Sequence, residues 1–286
     1  MNQSSIRGKQ SKVNGFFRHL LLSWAVPAVA TIVWQLSTHP PEIFARVLPH
    51  AEWLSLVNRS ASLAQTFPGP SQIYAAGGHL WKTGELLSAI EISSQRASLG
   101  FLVGGSVGFA LGLFNGLFSF AETMLDSSIQ MLRNIPHLAL IPIIILWFGI
   151  DEPAKVLLVA IGVFFPIYLN TFHGIRSIDP ALREMASVYG LKSWSLFWNV
   201  ILPGAMPSIL VGIRFALGLM WLTLIVAETI DADSGIGYIT NNAREFMQTD
   251  VVLMGILLYA LLGKLADASV RLLERILLSW QPAYQR

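Results

Sequence analysis

REMASVYGLKSWSLFWNVILPGAMPSILVGIR, residues 183 to 214, is the stretch on which the reading of the whole chain turns. It is too polar to cross a membrane, yet apolar runs of near-bilayer length lie on both sides of it, so a structured loop pinned at both ends is expected. Pro180 disfavours helical geometry at Asp179, which makes Asp179 a cap and Ala181 to Tyr189 about two helical turns. Gly190 offers a position where the chain can turn with positive φ. Leu191, Leu196, Phe197 and Val200 then recur at helical spacing in a second short helix, expected to end at Pro203 and Pro207 before the next span begins. Helix, glycine corner and helix make a compact knob facing the water phase.

The composition around the knob is that of a polytopic membrane protein. Of 286 residues, 53% are hydrophobic and 13% charged, about half the charge of a soluble chain. Mean hydropathy is +0.57. The net charge of +2 comes from Lys and Arg at the chain ends and in loops, so it bears on membrane orientation and not on nucleic acid. With no Cys there is no disulfide, no thiolate catalysis and no Cys-ligated metal. Gly8-Lys9 and Gly263-Lys264 lack the preceding glycine and following hydroxyl of a phosphate loop. The six His lack metal-site spacing, and there is no Gly-x-Ser-x-Gly elbow. Catalysis by this chain is therefore not expected.

Residues 1–19 are basic and read as a tail, and residues 20–36 form the first apolar run. Ala28-Val29-Ala30 mimics a signal-peptide cleavage site but lies inside that run, with further spans following, so a span is expected. Residues 37–95 mix Pro, His and Ser, with a turn at Phe67 to Pro70 and a headgroup-level aromatic belt at Trp53, Tyr74 and Trp81. Further spans are expected at Leu99 to Phe118, Ser128 to Phe148, Val156 to Leu169, Ser208 to Ala227 and Val251 to Gly263. Pro136 and Pro142 interrupt the second of these five, and Pro166 kinks the third. Gly104, Gly108, Gly112 and Gly116 lie along one helix face and admit a close neighbour. The last run is short, and it spans only if Lys264 and Asp267 neutralise each other or snorkel. The fold class is all-α, with about six transmembrane helices.

Six spans put both termini on one side, together with the knob. That side carries Arg7, Lys9, Lys12, Arg18, Arg176, Arg183, Lys192, Arg271, Arg275 and Arg286, so both termini and the knob are expected in the cytoplasm. Arg133, Asn134 and His137 early in one span and Arg214 early in another are ionisable or polar groups near membrane depth. Two readings stand: they favour an oxyanion in a translocation path, or they snorkel to headgroups about two turns away.

Glu184, Met185, Ala186 and Gly190, followed by Val200, Leu202 and Pro203, resemble the EAA loop of ABC-importer permeases, with Met185 and Val200 as mild departures. The likeness runs from about Ile73 to Tyr284. MLRNIPHLALIPIIILWFG (131–149), FPIYLNTFHGI (165–175), RFALGLMWLTLIVAET (214–229), DSGIGYITNNAREFMQTD (233–250) and YALLGKLAD (259–267) are similar to the aliphatic-sulfonate permeases of the nitrate, sulfonate and taurine group of type I importers. Residues 40–67 are longer than that family's pattern. The resemblance implies a MetI-like permease fold in the inner membrane, with a transmembrane core at 96–270, a coupling loop at 176–205 and a C-terminal tail at 271–286. It also implies that Glu184, Met185, Ala186, Gly190, Leu202 and Pro203 meet a separate ATPase dimer. ATP and Mg would be bound there, with no cofactor on this chain. A second copy of the chain, a periplasmic substrate-binding protein and membrane lipid are the other implied partners, and nucleic acid is not one. Aliphatic sulfonate is the implied cargo, with taurine or nitrate as alternatives. An ion-coupled secondary transporter is more distant, since it would need paired acidic groups or broken helices at midplane and usually an internal repeat, and neither is expected here.

Overall fold

The computed structural model describes residues 25–39 and 49–280. The expected basic tail, the Leu20 start of the first apolar run, residues 40–48 of the longer segment and the last six residues lie outside the described residues. The chain divides into two compact units, Met1–Lys82 with Ala243–Met254, and Thr83–Asn242 with Gly255–Arg286.

The first unit contains α1 (Ala25–Thr38), α2 (His50–Thr66) and α3 (Pro70–Thr83). The expected turn at Phe67 to Pro70 separates α2 from α3, and the Gly69 N–H donates to Gln72 Oε1 at 3.0 Å. Gln35 fastens α1 to α3 by accepting from the Ser71 N–H (3.1 Å) and donating to its hydroxyl (3.0 Å).

The second unit holds α4 (Glu85–Leu117), the bent pair α5 (Ser119–Arg133) and α6 (His137–Phe148), α7 (Glu152–Arg176), α8 (Pro180–Val188) and α9 (Ser193–Ile230). It also holds most of α10 (Ile236–Glu245) and α11 (Thr249–Leu277). Among the described residues, α4, α7, α9 and α11 are each long and apolar enough to cross a membrane. The pair α5–α6 makes a fifth span if its 83° bend is one crossing, and α1 is a shorter apolar helix.

The glycine stripe does what its spacing predicts. A Cβ at Gly104 would strike the Ala160 carbonyl, one at Gly108 would lie 2.6 Å from the Phe164 carbonyl oxygen, and one at Gly112 would lie 2.6 Å from that of Tyr168. Glycines four apart on α4 thus meet carbonyls four apart on α7, and the two helices run parallel at backbone contact. Ala97 of α4, Val159, Val163 and Ile167 of α7, and Ala216, Met220 and Leu224 of α9 close a buried core around this seam.

Several boundaries differ from expectation. Helix α4 starts at Glu85 and not at Leu99, because the polar Ser93 and Arg96 are carried inside it and satisfied by the buried groups described below. Of the two prolines in the interrupted span only Pro136 marks the break. Pro142 lies in the first turn after it, where a missing N–H removes no helical hydrogen bond. Pro203 and Pro207 do not end a short helix: α9 runs on through both. A π turn at Phe197–Ile201 shifts the hydrogen-bond register just before Pro203, so the proline ring enters a place where the ladder is already offset. The last span is not limited to Val251 to Gly263, since α11 extends through Leu277. Lys264 and Asp267 do not pair with each other. Asp267 is taken by Arg271 one turn along (2.9 Å) and by Arg214 of α9 (3.5 Å).

Candidate functional site

The knob is built as its sequence dictates. The Asp179 carboxylate accepts from the Ala181 N–H at 2.9 Å, and Pro180 occupies the first turn of α8, where it loses no bond. At the other end Gly190 has φ +78°, its N–H donates to the Ser187 carbonyl (2.9 Å) and the Leu191 N–H to the Ala186 carbonyl (3.0 Å). These two bonds are a Schellman closure, which requires a left-handed residue at the position that glycine holds. A Cβ at Gly190 would meet nothing within 4 Å among the described residues, so the demand is for backbone conformation and not for space.

The root of the knob is packed and its outer face is not. Ile175, Ile178, Ile201, Ala205 and Ile209 form a buried cluster, against which Leu196, Phe197 and Leu202 pack. Arg183 donates to the Ile175 carbonyl at 2.6 Å, tying α8 to the last turn of α7. Outward, Val188 is 85% exposed, Tyr189 79% and Trp194 74%, with Leu182, Met185 and Trp198 also exposed. Trp194 and Trp198 meet edge to face at 5.6 Å. Of the six residues singled out by sequence, Glu184 and Met185 lie on this exposed face. Ala186 and Gly190 form the corner, while Leu202 and Pro203 belong to the root. Sequence reasoning missed the aromatic share of the face, although Trp194 and Trp198 at i and i+4 were the available signal. An exposed apolar surface on a rigid base is the physical signature of a docking site for another protein.

A second polar locus lies at the bend between α5 and α6. Arg133 and Asn134 are exposed at the end of α5, and the Asn134 amide bonds back to the Gln130 carbonyl (3.3 Å). His137, first in α6, reaches Thr223 of α9 at 3.0 Å through Nε2, beside Gly162 of α7. Gly162 is ten residues from one end of α7 and fourteen from the other, about 15 and 21 Å along the axis. The bend therefore lies at mid-length of the spans. Arg214 is not with these three: Glu274 (2.5 Å) and Asp267 (3.5 Å) meet its guanidinium.

A third cluster, at the end of the spans opposite the knob, was not foreseen. The Glu228 carboxylate accepts from Arg96 Nη1 (2.8 Å), the Ser93 hydroxyl (2.8 Å), the Gly237 N–H (2.9 Å) and the Tyr259 hydroxyl (2.9 Å). Arg96 also binds Glu152 through both Nε and Nη2 and donates to the Ser234 carbonyl (2.7 Å). Gly235, at φ +107°, lets the turn before α10 close onto the pair, since a Cβ there would lie 2.7 Å from both Arg96 and Glu228. Ser234-Gly235-Ile236-Gly237 is itself a local turn signal in the sequence. Its buried ionic partner has none.

The comparisons agree with this architecture. Residues 104–278 match the family described as "Binding-protein-dependent transport system inner membrane component". The chain is 57% identical to the "Putative aliphatic sulfonates transport permease protein SsuC" of Escherichia coli over 91% of this chain and 92% of that one. It is 42% identical to the protein of the same name from Bacillus subtilis over 99% and 95%. It is 34% identical to the "Taurine transport system permease protein TauC" of Escherichia coli over 76% and 81%. Among solved structures, the inward-facing MetNI methionine ABC transporter in a SeMet soak crystal form superposes with TM-score 0.52 at 16% identity, over 65% of this chain and 94% of that one. That likeness shows the fold. The chain belongs to the family of binding-protein-dependent transport system inner-membrane components, as a multi-pass permease component similar to SsuC.

Proposed function

We propose that this chain moves an aliphatic sulfonate across the inner membrane by alternating access, as one of two copies, driven by ATP hydrolysis on separate subunits. The observation that carries the reading is the knob: a buried root on α7 and α9 beneath an exposed apolar face around Tyr189 and Trp194. A rigid lever with a sticky outer surface suits the transmission of motion from a docked ATPase, on which ATP and Mg would be bound. Both termini and the knob then face the cytoplasm, and a substrate-binding protein delivers cargo on the other side. Arg133, Asn134 and His137 at the mid-span bend are the residues proposed to meet the anionic head, since a guanidinium at membrane depth is costly unless it serves a passing anion or finds a partner. The cargo reading is supported by the likeness to the SsuC-type relatives, which are named as aliphatic sulfonates transport permeases.

The test is growth and co-purification together. A strain lacking its own sulfonate permease, carrying this chain with its ATPase and binding protein, is expected to grow on ethanesulfonate as sole sulfur source. The tagged chain is expected to retain the ATPase, and Tyr189→Asp with Trp194→Asp is expected to release it. Growth on taurine alone, or use of nitrate alone as nitrogen source, would replace the cargo. Retention of the ATPase by the double variant would remove the knob as the coupling element.

A further inference from the structure

Beside the α5–α6 bend lies a crevice of about 370 Å³ whose lining is entirely apolar, including Val103 and Val107 of α4, Leu132 and Ile135 flanking the bend, and Ile161 and Phe164 of α7. That volume falls in the range of small-ligand sites, roughly 300–1,000 Å³. Leu132 and Ile135 bracket Arg133 and Asn134, and Arg133 is exposed with no ion pair among the described residues. Arg96, Lys155 and Arg214, by contrast, each have carboxylate partners. A dry slot half-way along the spans, lined by the helix end that also carries the unpaired Arg133, complements a molecule that is anionic at one end and aliphatic at the other.

We infer that this crevice seats the alkyl chain of the cargo while Arg133 meets its anionic head, so that the permease itself selects for chain length. The inference rests on the sulfonate reading above and deepens it. Transfer of one methylene from water into an apolar slot is worth about fourfold in affinity, so uptake is expected to discriminate between chains at that rate per carbon until the slot is full.

The experiment uses the complete transporter in cells and compares uptake of ethanesulfonate with that of octanesulfonate. Because the binding protein is the same in every strain, the ratio of variant to parent isolates the permease. Val107 is half-exposed at the rim, so Val107→Phe fills the crevice without forcing a buried clash. It is expected to lower octanesulfonate uptake about tenfold or more and to leave ethanesulfonate within twofold. Leu132→Ala widens the crevice and is expected to shift the ratio about fourfold the other way. The inference is overturned if, at parental levels of assembled transporter, both chain lengths fall in proportion or neither changes. It is equally overturned if the variants alter only co-purified phospholipid, which would make the crevice a lipid seat. A parent strain that takes up neither compound sinks the cargo reading instead, and the two failures are thereby distinct.

Discussion

Arg96 of α4 and Glu228 of α9, 132 residues apart in the chain, meet at 2.8 Å with both side chains all but sealed from solvent. Ionic groups so deep are tolerable only when every lone pair and N–H is used. Here Ser93, Gly237, Tyr259, Glu152 and Ser234 complete the set. Five segments are pinned by the pair: the early turns of α4, the first turn of α7, the end of α9, the turn before α10, and α11.

Breaking the pair from either side has unequal consequences. Arg96→Met strands Glu228 as a buried anion and is expected to destabilise by roughly 3–5 kcal/mol. Glu228→Gln keeps an acceptor for Ser93 and Tyr259 and leaves Arg96 with Glu152, so a loss of roughly 1–3 kcal/mol is expected. Thermal unfolding of the purified chain in detergent checks the order. An Arg96→Met variant that melts with the parent would show that the network bears no load.

Gly190 separates conformation from packing. Its φ of +78° is in the left-handed region and nothing would touch an added Cβ, so the substitution series reports backbone strain alone. Gly190→Asn is expected to be nearly neutral, Gly190→Ala to cost about 1–2 kcal/mol, and Gly190→Val more, because a β-branched residue tolerates that region least. If the knob couples hydrolysis to uptake, the ratio of ATP hydrolysed to substrate moved rises along Asn, Ala, Val. A flat ratio across the three would detach the corner from coupling.

Features set by residues within a turn or two of each other were legible in the sequence. Asp179-Pro180 announced a helix start, Gly190 its closure, and four glycines at four-residue intervals a close helix contact. What could not be read depends on partners distant in the chain. Arg96 lies just before the span expected from Leu99, and Glu228 just after the span expected to end at Ala227, because hydropathy registers the charge and not its neutralisation. Asp267 and Arg271 likewise resembled the end of α11, whereas Arg214 on another helix keeps them inside it. The π turn at Phe197–Ile201 has no composition of its own, so the continuity of α9 through Pro203 and Pro207 was hidden too.

The α4–α7 seam predicts opposite signs for one change. Gly108→Ala drives a methyl to 2.6 Å from the Phe164 carbonyl and is expected to cost about 1–3 kcal/mol, as overpacked sites do. Gly218→Ala, inside α9 with nothing within 4 Å among the described residues, is expected to stabilise by about 0.5–1 kcal/mol through helix propensity. Melting temperatures of the two single variants decide it, and a shift in the same direction for both would contradict the seam.

Arg214 and Arg133 are told apart by rescue. Glu274 is buried and its only ion-pair partner among the described residues is Arg214, so Arg214→Leu leaves an uncompensated carboxylate, while Arg214→Leu with Glu274→Leu removes both charges and restores an apolar contact. The double variant is therefore expected to regain most of the melting temperature lost by the single one, and with it most of the sulfonate uptake. Among the described residues Arg133 has no such partner to delete, so Arg133→Gln is expected to melt with the parent yet take up sulfonate at a tenth of its rate or less. Uptake that stays absent in the rescued Arg214 double variant would give that guanidinium a role beyond its ion pair, and full uptake in Arg133→Gln would clear the bend of any contact with the anion.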